Sequence, residues 1–227
     1  MRAERVAEAD DVRAFQATYP IVAHAMNQIA AALALRDQGL GYAGRANAHV
    51  AFEHALIAQS VVHTHDGEEP LIGSMDKLQR NILRDLRTGG AALAPELNAE
   101  IDSPWTSPEA KVQAIADRFD GGSKAIYGLY RMLTGAVHVS LATLVAYMDL
   151  RDDDRPPVLL RDAKPDTDPD QPLALGWSAL LAVSAIENFR KGDPFREWIN
   201  KTAKDHELVA DLGPHDRQPH RQRQPST

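Results

Sequence analysis

The chain has 227 residues, 44% of them hydrophobic, with 25 Lys and Arg against 32 Asp and Glu, a formal net charge of −7 and no cysteine. That supplies the core of one large domain, and the missing cysteines exclude disulfides, thiolate metal sites and a cysteine nucleophile. The acidic balance argues against a protein that coats nucleic acid through its overall field. Sparse aromatics among Ala, Leu and Val at helical spacing point to an all-α fold.

In chain order, Arg2 to Tyr19 predicts a moderately amphipathic helix with its acids early, where the helix dipole favours them. No apolar signal region opens the chain and no apolar run reaches the length of a membrane span, so the expectation is a cytoplasmic protein with no membrane contact. Pro20 is expected to restart the chain, and Ile21 to Gln38 to form a core-facing helix closed by Gly39. Ala43 to Thr64 predicts a third helix on which Arg45, His49 and Glu53 form a polar stripe at i, i+4 and i+8. Residues 63 to 70 are turn-rich. Met75 to Arg87 predicts a two-sided helix, with Met75, Leu78, Ile82, Leu83 and Leu86 on one half. Lys77, Arg80, Arg84 and Arg87 line the other half, as a candidate grip on RNA phosphates or as a solvated basic face.

Residues 91 to 108 read as a loop with a short helical turn. Ser107 and Pro108 are expected to start a short helix over Ala110 to Phe119. Gly121 to Leu150 is long and mostly apolar, yet it carries Arg131 and His138. On a continuous helix these two share a face, roughly 10 Å apart along the axis, and Gly135 between them is a point where the helix bends or splits. Arg151 to Pro172, rich in Asp and Pro, predicts a long exposed connection. Leu173 to Arg190 is another apolar helix, and Asp193-Pro194 an N-terminal signal for a last one reaching Leu212. The expected organisation is a single helical domain over residues 1 to 212: a core of about 20 to 150, the loop 151 to 172 and a C-terminal helical pair over 173 to 212. Residues 213 to 227 are expected to be a disordered tail.

No nucleotide-loop, hydrolase-elbow or zinc-protease signature occurs, and no Glu precedes a His by three residues, which removes the paired signature of di-iron bundles. Of the nine histidines, His24, His49, His54 and His138 fall on predicted helices. A His-ligated metal site is a third functional reading, although no spacing selects a trio.

Arg131 to His138, written R-M-L-T-G-A-V-H, resembles the R-x4-6-H motif of the HEPN superfamily of helical bundles, many of which are ribonucleases in toxin, abortive-infection and RNA-processing systems. YGLYRMLTGAVHVS, taken with the upstream helical stretch from Arg45 to Glu53, is similar to an uncharacterised bacterial HEPN-like family over about Ala43 to Tyr147. The resemblance implies a metal-independent endoribonuclease without a cofactor, RNA as the ligand, and a homodimer in which Arg and His of two chains face each other. It also implies a toxin or phage-defence setting with a possible antitoxin or defence partner. Carried over, His138 is the general base or acid, Arg131 the phosphate ligand and Glu53 an orienting partner. Tyr130 and Ser140 follow as second candidates, with Arg45 and His49 behind them. Active members often carry a polar residue directly after the arginine, where this chain has Met132. The alternative reading is a catalytically silent dimerisation or adaptor module in which Arg131 is buried against Glu53.

Overall fold

The computed structural model describes residues 9–120, 123–149, 158–159, 166 and 168–213; the expectations for the first eight residues, for most of the 151–172 connection and for the tail beyond 213 lie outside them. The protein is an all-α bundle. Its helices among the described residues are α1 (Ala9–Asp37), α2 (Gly41–His63), α3 (Glu68–Thr88), α4 (Pro95–Asp102), α5 (Val112–Phe119), α6 (Ala125–Val137), α7 (Leu141–Ala146), α8 (Asp170–Glu187) and α9 (Arg196–Asp205). A two-residue antiparallel pairing, Met148–Asp149 with Val158–Leu159, is the one strand contact among them.

The bundle is built round α2, which α1, α8 and α6 flank, with α5 and α3 in lesser contact. Ala48, Ala51, Ala55 and Ala58 recur along α2 at spacings of three and four, and all are fully buried. Small side chains on this face let neighbouring backbones approach closely. Phe52 and Leu56 fill the remaining space, with the Phe52 ring 5.5 Å from that of Trp177 on α8. α8 is thus part of the core, apolar on most of its circumference, as a buried helix must be. α9 is peripheral, resting on α8 through a small cluster of Leu180, Ile199, Ala203 and Ala210.

Several boundaries differ from the sequence expectation. Pro20 does not restart the chain: it sits inside α1 on its exposed side, where a freed carbonyl costs least. α3 begins at Glu68, seven residues early, with Pro70 in its first turn, where no intrahelical N–H is needed. Ser107 and Pro108 do not start a helix. The Pro108 carbonyl crosses α3 so closely that a Cβ on Gly73 would lie 2.0 Å from it, and the Ala110 amide donates to the Pro70 carbonyl at 3.0 Å. α5 therefore starts only at Val112. Asp193, at φ +43, turns the chain instead of capping it. The amide of Phe195, at the cap of α9, is held by the buried Glu187 carboxylate at 2.6 Å.

The buried Arg45 is the strongest tie between α2 and the Asp-rich connection. Its guanidinium donates Nε to Asp166 Oδ2 at 2.7 Å, Nη2 to Asp168 Oδ2 at 2.7 Å and both Nη1 and Nη2 to Asp170 at 3.0 and 2.9 Å. The Asp166 hydrogen bond, set against burial, holds the guanidinium pKa well above its ordinary value. Arg45 is thus a structural clasp, which takes it out of the set of candidate site residues. Arg45→Ala leaves Asp166 and Asp170 buried without a counter-charge, a loss of about 3 kcal/mol. The expected readout is a lower urea midpoint, partly restored by adding Asp166→Asn.

Candidate functional site

α6 presents two surfaces. Ile126, Leu129 and Leu133, at steps of three and four, are buried towards the core. Its start is held by Asp120, whose carboxylate accepts the amides of Ile126 at 3.1 Å and Tyr127 at 3.5 Å and the Ser123 hydroxyl at 2.5 Å. Burial pushes that carboxyl up, but these hydrogen bonds outweigh it and leave its pKa below the ordinary value.

The second surface carries Tyr127, Tyr130, Arg131 and Thr134, along the flank that meets the polar stripe of α2. His49 Nε2 lies 3.1 Å from Thr134 Oγ1. Because the Thr134 hydroxyl donates to the Tyr130 carbonyl at 2.8 Å, its oxygen is left to accept. His49 therefore donates through Nε2–H and carries its lone pair on Nδ1. The Tyr130 hydroxyl donates to Glu53 Oε2 at 3.1 Å, and the His49 and Tyr130 rings lie 4.7 Å apart. Tyr127 stacks on Tyr130 at 6.1 Å, and the Arg131 guanidinium sits 6.0 Å over Tyr127. Arg131 is exposed, with no carboxylate partner among the described residues.

His138 does not share a helix face with Arg131. The helix ends one residue earlier, and His138 is its extended C-cap at φ −114 and ψ 157. Its amide remains bonded to the Thr134 carbonyl at 3.2 Å. The split falls three residues beyond Gly135, because Ser140 opens α7: its hydroxyl accepts the Thr143 amide and donates to the Gly135 carbonyl at 2.5 Å. Ser140 is thereby a cap. The side chain of His138 is exposed and close enough to His49 to act on its charge.

Burial drives the electrostatics of this cluster. It lowers the pKa of His49, Glu53 partly opposes it, and His138 lowers it further. His49 is neutral near pH 7. Tyr130 is pushed up to about 12, first by burial and then by Glu53. Glu53 is thus engaged with Tyr130, and the alternative pairing of a buried Arg131 with Glu53 does not occur.

The basic stripe of α3 lies elsewhere and is turned on its own chain. Lys77 pairs with Glu109 at 2.7 Å, and Arg87 meets Asp102 through two bonds of 2.9 and 3.1 Å. Arg84 donates to Asn81 at 3.0 Å and to the Ile101 carbonyl at 3.3 Å. Arg80 is only 8% exposed: it donates to the carbonyls of Ile101 and Ser103 at 3.2 and 2.5 Å and lies over the Trp105 ring. These four side chains clamp α4 and the segment after it. Met75, Leu78, Ile82 and Leu86 are left exposed, so most of the apolar half faces outwards, whereas of the four basic residues Arg80 is buried and Arg84 is itself exposed.

The structure therefore brings His49, Glu53, Tyr130 and Thr134 together at the α2–α6 contact, sets Arg131 over Tyr127 on α6 and leaves His138 exposed just beyond the end of that helix, while Arg45, Lys77, Arg80, Arg84 and Arg87 are bound to partners of their own and Ser140 caps α7. The sequence reading missed Tyr127 and Thr134, although their spacing to Arg131, four before and three after, is a helical signal. Among the described residues no three His, Asp or Glu side chains lie close enough to hold a metal ion, so the third, metal-binding reading has no ligand set there, and no helix is long and apolar enough to cross a membrane. No protein-family model, no curated protein and no solved structure matches the chain.

The buried His49 and the half-buried His54 give a pH signature. His49 and His54 both have lowered pKa values, each mainly through burial, so the unfolded chain takes up protons first as pH falls. Stability is complete above the unfolded value of about 6.5 and is lost as pH drops through it towards the folded values. A fall in melting temperature between about pH 7.5 and about pH 5.5 is expected. A His49→Gln, His54→Gln double variant should flatten that slope when measured by thermal circular dichroism.

Proposed function

We propose that this chain is a metal-independent endoribonuclease whose reacting groups are Arg131 and His138, where α6 ends against α2. The observation that carries this reading is the state of Arg131. Of the basic residues singled out in the sequence it is the one with neither a carboxylate nor a carbonyl partner among the described residues, and the Tyr127 ring props its exposed guanidinium. Such a fork is free to meet the non-bridging oxygens of a phosphodiester through paired N–H groups. His138, exposed at the end of α6, takes the proton from a ribose 2′-hydroxyl. The 2′-oxygen then attacks phosphorus, the bond to the 5′-oxygen breaks, and the imidazolium returns its proton to that oxygen. The products are a 2′,3′-cyclic phosphate and a 5′-hydroxyl. His49 supports the step by remaining neutral, so no second cation repels the imidazolium as it forms. Glu53 acts on this arrangement only through Tyr130. A toxin or phage-defence role rests on the resemblance to HEPN proteins alone.

A second reading, the silent adaptor module, is favoured by the exposed apolar side chains of α3 and of the α6–α7 junction, where Met132, Val139 and Leu141 face solvent.

Cleavage of end-labelled RNA in EDTA separates the two. His138→Ala is expected to lose about 10²- to 10⁴-fold, and Arg131→Ala about 10²- to 10³-fold, with unchanged helical circular dichroism. Glu53→Gln should cost far less. Absence of cleavage by the unmodified protein across RNA substrates would leave the adaptor reading.

A further inference from the structure

The aromatic side chains around the proposed reacting groups differ in what uses their rings. Tyr127 carries the Arg131 guanidinium and stacks on Tyr130, and the Tyr130 ring lies against His49. Tyr147, the C-cap residue of α7, is 40% exposed, and its hydroxyl has no hydrogen-bond partner among the described residues. Its ring meets that of Tyr42 at 6.1 Å and 84°. A perpendicular contact covers at most one face of a ring, so the other face of Tyr147 stays open.

This ring is held at a fixed place beside His138. The Tyr42 hydroxyl donates to Thr143 Oγ1 at 3.3 Å, and the Thr143 hydroxyl donates to the carbonyls of Gly135 at 2.9 Å and His138 at 3.3 Å. One hydroxyl thus ties the ring that props Tyr147 to the backbone at which α6 gives way to α7. Tyr147 follows Thr143 by four residues, a rise of about 6 Å along α7, and Tyr42 touches both, which places them on one side. From Val139 to Tyr147 the chain carries no charged residue, so no carboxylate of that segment repels a phosphate chain passing over it.

We infer that Tyr147 is the plate on which an unpaired nucleobase stacks, next to the phosphodiester that Arg131 and His138 engage. The inference rests on the nuclease reading and names its substrate class, single-stranded RNA. Attack by a 2′-oxygen in line with the leaving 5′-oxygen requires the two nucleotides at the bond to swing apart, and a base that leaves its stack needs another π surface. A tyrosine ring supplies one to any base, and most to a purine, whose two rings cover more of it. The ring carries this role without the hydroxyl, which has no partner.

A short RNA strand with 2′-O-methyl groups throughout and 2-aminopurine in place of one base tests this without cleavage, because its 2′-oxygens cannot attack. Stacking on the ring quenches the 2-aminopurine fluorescence. The unmodified protein is expected to bind and quench the strand. Tyr147→Leu should lose the quenching and bind about 10- to 100-fold more weakly, and Tyr147→Phe should match the unmodified protein, all with the same helical circular dichroism. On cleavable RNA, Tyr147→Leu should raise KM and leave kcat nearly unchanged, whereas His138→Ala lowers kcat. Quenching and affinity that are unchanged in Tyr147→Leu, or lost equally in Tyr147→Phe, would overturn the plate and leave cleavage by Arg131 and His138 standing. A duplex bound as tightly as the single strand would overturn the unpaired base, and no binding of the strand by the unmodified protein would overturn the plate as well. Quenching that depends on Tyr147 in a protein that cleaves no RNA would retain the plate and overturn the nuclease reading.

Discussion

The structure depends on one constraint: α2 has almost no solvent face, so the buried polar side chains Arg45, His49 and Gln59 are each met by another element. Arg45 draws in Asp166, Asp168 and Asp170, and His49 meets Thr134 on α6. Gln59 donates to the Leu181 carbonyl on α8 at 2.8 Å and accepts the Leu212 amide at 2.9 Å. A buried amide or guanidinium without such partners would cost more than its packing returns. Three otherwise separate segments are therefore positioned by the polar residues of one helix, while its alanines set how closely they approach.

The same rule accounts for the outward-facing apolar side chains of α3. An amphipathic pattern says that a helix has two sides, and the apolar side is the usual one to bury. Here Arg80 finds a better set of partners than solvent, because the carbonyls of Ile101 and Ser103 and the ring of Trp105 are presented together beside it. Guanidinium groups tolerate such burial because their planar fork matches several acceptors at once. Most of the apolar half is left facing outwards as a consequence.

At the candidate site the two histidines differ in burial, in partner and in place on the helices. His49 sits inside the α2–α6 contact with its Nε2–H committed to Thr134, and its lowered pKa follows from lost hydration. His138, four residues beyond Thr134, has left the helix and stands in solvent. Arg131 has no carboxylate partner among the described residues, and Glu53 accepts the Tyr130 hydroxyl instead. A neutral inner histidine and the guanidinium of Arg131 thus lie along α6, with an outer histidine just past its end.

Local periodicity was enough to determine that the protein is all-α and that Ala43 to Thr64 and Leu173 to Arg190 are helices, although the second was expected in a C-terminal pair beside the core and lies within it. These properties follow from the 3.6-residue repeat, which any burying partner reads in the same way. Boundaries were less legible, since Pro20, Ser107-Pro108 and Asp193-Pro194 act through whichever chain passes beside them, as the Pro108 carbonyl does at Gly73. Which side of α3 is buried, that Arg45 is a clasp, that Glu53 meets Tyr130 and that His138 leaves the helix were decided only by tertiary structure. In each case the deciding partner is distant in sequence or depends on where a helix ends, and hydrogen-bond satisfaction is a property of that meeting.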